Sequence, residues 1–185
     1  STVVSEADGC LVKFKDGAVE PYDFVISTAP APQTAAIMKI ELEAVSYSPC
    51  FALLAIPRES PKFDAAVVKD SPIEWVECTA SKPSRLSACT LVAHASAEWT
   101  FEHFNAPRDD VKQALICALS ALGIEVDSNP SLHRWRYAHV VQPYRSPYWL
   151  SSQLRLAACG DWAVGHGVES AVVSASKLVA AIADR

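Results

Sequence analysis

Glycine is scarce in this 185-residue chain: six are present, about 3% where globular proteins average about 7%. No G-x-G-x-x-G occurs, and the one G-x-G, Gly165-His166-Gly167, lacks the third glycine. The chain therefore carries no fingerprint for cradling a dinucleotide pyrophosphate. Its six cysteines, at 10, 50, 78, 89, 117 and 159, include no C-x-x-C pair, which argues against a zinc ribbon or a thioredoxin-type motif. G-x-S-x-G, H-E-x-x-H, P-loop and EF-hand signatures are absent too. The five histidines (94, 103, 133, 139 and 166) lack metal-ligand spacing, so no metal is expected. No apolar run reaches the ~18–20 residues of a membrane helix. The longest, Ala171 to Ala183, is short and holds Lys177.

Charge adds a further exclusion. Sixteen Lys and Arg against 21 Asp and Glu give a net charge of −5, which offers no long-range attraction to nucleic acid or to an anionic membrane. The densest basic stretch, His133-Arg134-Trp135-Arg136, holds two permanent cations. Neither nucleic acid nor membrane is expected as a partner. Residue 1 is Ser and no segment reads as a signal or transit peptide, so either an upstream segment was removed or Ser1 is an artificial start. With most cysteines among apolar residues, the six are expected as buried free thiols in a reducing cytoplasm.

What is present is a folded chain. Half the residues are hydrophobic and five are tryptophan, enough for one domain that buries roughly 70% of its unfolded surface. Asp8-Gly9 and Asp16-Gly17 are turn signals around Cys10 to Phe14 and Ala18 to Tyr22, which reads as a β-meander. The Phe-Val-Ile centre of Tyr22 to Thr28 predicts a strand buried on both faces. Ala29-Pro30-Ala31-Pro32 stops it, and a short helix is expected over Gln33 to Met38. Strands are predicted over Ser46 to Pro57, Ala65 to Lys69, Ile73 to Thr79, Ala88 to Ala95 and Leu132 to Val141. Prolines 57, 61, 72 and 83 punctuate them and favour antiparallel pairing.

Two helices are also legible. Ala97 to Phe104 reads as a short one. Asp109 to Leu122 is the clearest, with Val111, Ala114, Leu115, Ala118, Leu119 and Leu122 at helical spacing and Gly123 as its stop. Gln142 to Ser152 reads as an aromatic loop.

The last 31 residues carry the chemical signal. Arg155 to Cys159 is a short apolar strand, Gly160 to Gly167 a loop, and Gly167 to Ala183 a helix expected to be buried nearly all round. A helix entered through glycine leaves its first N–H groups without a side-chain cap. Such an end suits a ligand oxygen carrying negative charge, and Asp161, just past the strand, is placed to accept hydrogen bonds from ligand hydroxyls.

Gly160-Asp161-Trp162 followed by Gly167-Val168-Glu169-Ser170-Ala171 and Ser174 resembles the C-terminal flavin-binding motif of the amine-oxidase-type FAD enzymes, most of all their renalase-like branch. Three further stretches resemble that family in order and spacing. Tyr22 to Gln33 resembles the strand returning from the FAD domain, Tyr47 to Leu53 the first substrate-domain strand, and His133 to Ala138 the strand leading back toward the flavin.

The resemblance implies an α+β fold derived from an α/β one. A mostly antiparallel substrate-domain sheet with helices would span 34–154. The remnant of an FAD-binding domain would come from 1–33 and from the closing strand and helix, 155–185. It implies FAD as cofactor in a longer parent, contacted by Asp161, Trp162, Gly167, Val168 and Glu169, with Trp162 beside the flavin ring. The implied reaction is hydride transfer from a reduced amine or dihydronicotinamide-type small molecule to flavin, with dioxygen as acceptor. Ser170 and Ala175 stand where many relatives would carry glycine.

Catalytic residues are not assigned by the sequence. Trp75, Trp135, Tyr137 and His94 are candidates for a substrate site, with Trp99 and Arg134 behind them. As a piece of a larger enzyme, this chain is expected to be inactive alone and open to self-association through the surface a missing domain would cover. The alternative is a flavin-free interaction or structural module on the same sheet. An independent hydrolase lacks a nucleophile and base.

Overall fold

The computed structural model describes residues 1–6, 9–42, 44–83, 89–127 and 129–183. The chain is mixed α+β and divides into two compact units, residues 1–47 with 139–185, and residues 48–138. These boundaries differ from the expected 33/34 and 154/155. The first helix and the strand before the closing one pack with the terminal segments.

In the first unit, β1 (Thr2–Glu6), β2 (Gly9–Lys13) and β3 (Val19–Tyr22) form the antiparallel meander. Its second turn is set by Gly17 at φ +92° and by Asp16, whose Oδ1 accepts the Ala18 N–H at 3.0 Å. A second sheet runs β10–β11–β4, where β4 is Val25–Ser27, β10 Trp149–Ser151 and β11 Leu156–Ala158. β11 is antiparallel to β10 and parallel to β4. All three β11 residues are buried. Leu156 packs with Met38 of α1 (Ala31–Met38), and Ala157 packs with Leu178 of α4 (Val168–Ala183). Alternation along β11 thus sends successive side chains to the two helices.

Several expectations are corrected here. β4 is an edge strand of its sheet and Ile26 is 47% exposed, so it is not buried on both faces. β10 lies inside the segment expected as a loop. Helix α4 is not buried all round. Only Ser174 and Leu178 are fully covered, while Val168, Val172, Val173 and Val179 are exposed.

The second unit is a five-stranded sheet in the order β6–β7–β8–β5–β9. The strands are β5 (Ser46–Ala55), β6 (Ala65–Val67), β7 (Ile73–Cys78), β8 (Leu91–Ala95) and β9 (Ser131–Gln142). The pairs β6–β7, β7–β8 and β8–β5 are antiparallel. Helix α2 (Ala97–Glu102) is capped by Ser96, whose side chain accepts the Trp99 N–H. Helix α3 (Arg108–Ala121) buries Val111, Leu115, Ala118 and Leu119, one stripe at helical spacing. That stripe joins Phe51, Leu53, Ile73, Val76, Leu91, Ala93 and Leu132 in one core. Leu122, expected in the stripe, is 41% exposed because the helix ends before it.

The cysteines also differ from expectation. Cys78 and Cys89 form a disulfide, and Cys117 is an exposed free thiol, whereas Cys10, Cys50 and Cys159 are buried and free. No helix among the described residues is long and apolar enough to cross a membrane.

Candidate functional site

Parallel strands end on the same edge of a sheet, and ligands of open α/β sheets bind beyond that carboxyl edge. In the first unit β4 and β11 are such a pair. The Cys159 N–H donates to the Ser27 carbonyl at 3.0 Å, so both chains leave the sheet side by side. From β4 the chain enters α1, where the Thr34 hydroxyl donates to the Ala29 carbonyl at 2.9 Å and lies 2.7 Å from Ser27 Oγ. From β11 it passes Gly160, a one-turn 3-10 helix over Asp161–Ala163, and Gly165-His166-Gly167, then enters α4.

Close packing fixes this loop. Ser174 of α4, fully buried, accepts the Gly160 N–H at 3.0 Å and donates to the Pro147 carbonyl at 2.7 Å. A Cβ on Gly160 would lie 2.6 Å from the Trp162 indole nitrogen, which leaves only glycine room. Trp162 is 1% exposed, packs edge-on against Tyr144 at 5.9 Å and donates its indole N–H to the Ala29 carbonyl at 3.1 Å. It braces the loop from within and presents no open ring face, which differs from the expectation that it lies beside a flavin ring.

Asp161 stays half-buried at the strand end. Its Oδ1 accepts the Trp162 N–H at 2.8 Å, and its carbonyl accepts the N–H groups of Val164 and Gly165. Gly167 has φ +93°, a conformation glycine adopts at no steric cost. It leads directly into α4, and Gly167, Val168 and Glu169 are all exposed. Ser170, in place of an expected glycine, donates its hydroxyl to the His166 carbonyl at 3.0 Å and closes the entry turn. The result is an exposed helix N-terminus at Gly167, with the Glu169 carboxylate 3.5 Å from where a Cβ on Gly167 would lie.

That donor set fits the flavin end of FAD. First-turn N–H groups suit an electron-rich carbonyl edge, and a carboxylate suits ribityl hydroxyls. Nothing in the sequence supplies a glycine cradle for the ADP half.

The second unit gathers the other candidates. Core residues Val76, Ala93 and Leu132 face α3, so Trp75, His94, Trp135 and Tyr137, at alternate positions, lie on the opposite face of one sheet. Trp75 and His94 are register partners across β7 and β8. Trp135 is 52% exposed, with its ring 4.0 Å from that of His133. Two weaker candidates lie elsewhere. Trp99 stacks on His103 at 4.1 Å and meets Phe51 edge-on in the helix-side core. Arg134 turns to the helix side, its guanidinium 4.8 Å from the Phe104 ring.

Ala29, Thr34, Tyr144 and Pro147 complete the loop's support and were not singled out in the sequence. The one usable signal was the density of aromatic residues between 142 and 152.

No protein-family model matches the chain. Its fold is similar to that of three solved structures. One, from Exiguobacterium sp. 255-15 and described as a protoporphyrinogen oxidase, has a TM-score of 0.72 at 15% identity over 98% of this chain and 45% of that one. A putrescine oxidase variant redesigned in cofactor binding has a TM-score of 0.69 at 14% identity over 100% of this chain and 48% of its own. An oxidoreductase from Methanosarcina mazei has a TM-score of 0.68 at 14% identity over 97% and 48%. The chain spans a little under half the length of each. At these identities the likeness establishes the fold.

Proposed function

We propose that this chain supplies the flavin-contacting loop and the substrate-facing sheet of an FAD-dependent oxidoreductase of the amine and protoporphyrinogen oxidase type. The observation that carries the proposal is the convergence of parallel β4 and β11 on Gly160-Asp161, followed by a glycine-entered α4. The fold shared with the oxidases above supports it. Bound FAD would supply the hydride acceptor.

The chain's own residues would do the rest. The first-turn N–H groups at Val168 and Glu169 would hold developing negative charge at a ring carbonyl, and Asp161 would accept from ribityl hydroxyls. Trp162 and Ser174 would keep that loop in place. Trp75, His94, Trp135 and Tyr137 form the substrate-facing set, and their aromatic surface suits a reduced amine or dihydronicotinamide-type molecule. Renalase-like chemistry, with dioxygen as final acceptor, is the finer form of this reading.

Titration of the protein with FAD, read by flavin fluorescence, tests it. FMN is expected to compete with FAD while ADP does not, because only the flavin end has partners here. Asp161→Asn should weaken binding roughly tenfold or more, the scale of a lost hydrogen bond to a charged group. Unchanged affinity in Asp161→Asn, or competition by ADP alone, would overturn the proposal.

A flavin-free interaction module is the second reading, favoured by the valines exposed along α4, with Val168 at 76% and Val179 at 62%. It predicts self-association that Val172→Lys abolishes, with no response to FAD.

A further inference from the structure

Strand β9 carries two different faces. His133, Trp135 and Tyr137 alternate with Arg134 and Arg136, and the arginines lie on the side of α3. The guanidinium carbons of Arg134 and Arg136 sit 4.8 and 4.7 Å from the centroid of the same Phe104 ring. Arg134 donates one hydrogen bond to the Phe104 carbonyl at 2.7 Å, and Arg108, opening α3, donates one to the Leu132 carbonyl. Arg108 and Arg134 then line a notch of about 240 Å³ whose other walls are Phe51, Ala106 and Leu132.

Three features set this notch apart. First, no described carboxylate pairs with Arg108, Arg134 or Arg136, not even Asp109 or Asp110 beside Arg108. Two cations over one ring repel each other, and an anion beside them relieves that repulsion. Second, the cluster stands in a chain of net charge −5, so it is not part of a general basic surface. Third, Arg108 occupies the first turn of a helix, where the dipole disfavours a cation.

We propose that this notch is a binding site for a small organic carboxylate with an apolar body. Each guanidinium has five N–H donors in a planar fork that matches a carboxylate edge, and only one of those on Arg108 and one on Arg134 are used internally. Phe51 and Leu132, each 3% exposed, floor the notch, and half-buried Ala106 offers an apolar wall to a ring or short aliphatic body. A dry cavity of about 150 Å³ takes benzene, so the notch has room for a ring with its carboxylate. Inorganic phosphate has no apolar part to place against Ala106. The site lies on the face of β9 opposite Trp135 and Tyr137, so it does not depend on the flavin reading.

Calorimetric titration with benzoate, acetate, inorganic phosphate and sodium chloride at constant ionic strength tests the proposal. Benzoate should bind saturably at one site, with acetate and phosphate at least about tenfold weaker and chloride silent. Arg108→Gln and Arg134→Gln should each weaken benzoate by about tenfold or more, whereas Trp135→Phe should bind it as wild type does. Arg108→Gln keeps the Phe104 contacts, so the test stands if Arg134→Gln folds poorly. Phosphate matching benzoate, retained binding in both arginine variants, or loss in Trp135→Phe would overturn the proposal.

Discussion

The indole N–H of Trp162 donates to the carbonyl of Ala29 at 3.1 Å, tying together two turns that are 133 residues apart in sequence. Those turns leave the parallel strands β4 and β11, so this hydrogen bond adds to the Cys159–Ser27 one in joining the two segments beyond the strand ends. Its partner constraint is Gly160, where an added Cβ would meet the same indole nitrogen at 2.6 Å. Gly160→Ala is therefore expected to destabilise the protein by about 1–3 kcal/mol through overpacking. Trp162→Phe loses the hydrogen bond, at about 1 kcal/mol, but frees space at Gly160. Urea unfolding of both single variants and the double should show a double variant less destabilised than the sum. Strict additivity would mean that the indole and Gly160 do not constrain each other.

A disulfide closes the β7–β8 connection. Cys78 is the last residue of β7 and Cys89 lies two residues before β8, with Cα atoms 5.9 Å apart. A closed loop of that length restricts the unfolded chain by about 2–3 kcal/mol. Reductant, or Cys78→Ser with Cys89→Ser, should lower the melting temperature, and non-reducing mass mapping should find the two peptides linked. Two free thiols at these positions with an unchanged melt would contradict the pairing.

Burial pushes the Cys50 thiol from its ordinary 9.0 up to about 11, with the Glu74 charge adding in the same direction. Below pH 9 the thiol is protonated in folded and unfolded chains alike, and its contribution to stability is fully present. Between 9 and about 11 the unfolded chain releases a proton that the folded chain keeps, so stability falls as pH rises. The urea midpoint should drop across that window and drop less in Cys50→Ala. Burial also raises Cys10 and Cys159, so some slope should persist. An identical slope in Cys50→Ala would contradict this assignment.

Much of this fold is written locally. Asp16-Gly17 marks a turn because only certain residues tolerate its backbone, and the α3 stripe from Val111 to Leu119 repeats with the helix itself. The order of strand, Gly160-Asp161 and glycine-entered helix is local too. What stayed hidden depends on neighbours. Phe24-Val25-Ile26 looks like a strand covered twice, yet exposure of Ile26 follows from the edge position of β4. The small residues of α4 permit close packing on every side without requiring it. A sequence separation of 11 does not announce a disulfide, because Cys78 meets Cys89 only once β7 and β8 pair. Trp162 has a polar tip and a large ring, and the sequence could not tell whether that ring faces a ligand or the core.

The central claim is that the 160–170 loop and helix entry meet a flavin, and backbone amide resonances read it directly. FAD added to isotopically labelled protein should move the amides of Gly160, Asp161, Gly165, Gly167, Val168 and Glu169 most, and FMN should reproduce the pattern. Amides in this loop that stay fixed while FAD is in excess, or shifts concentrated on α3, would contradict the account.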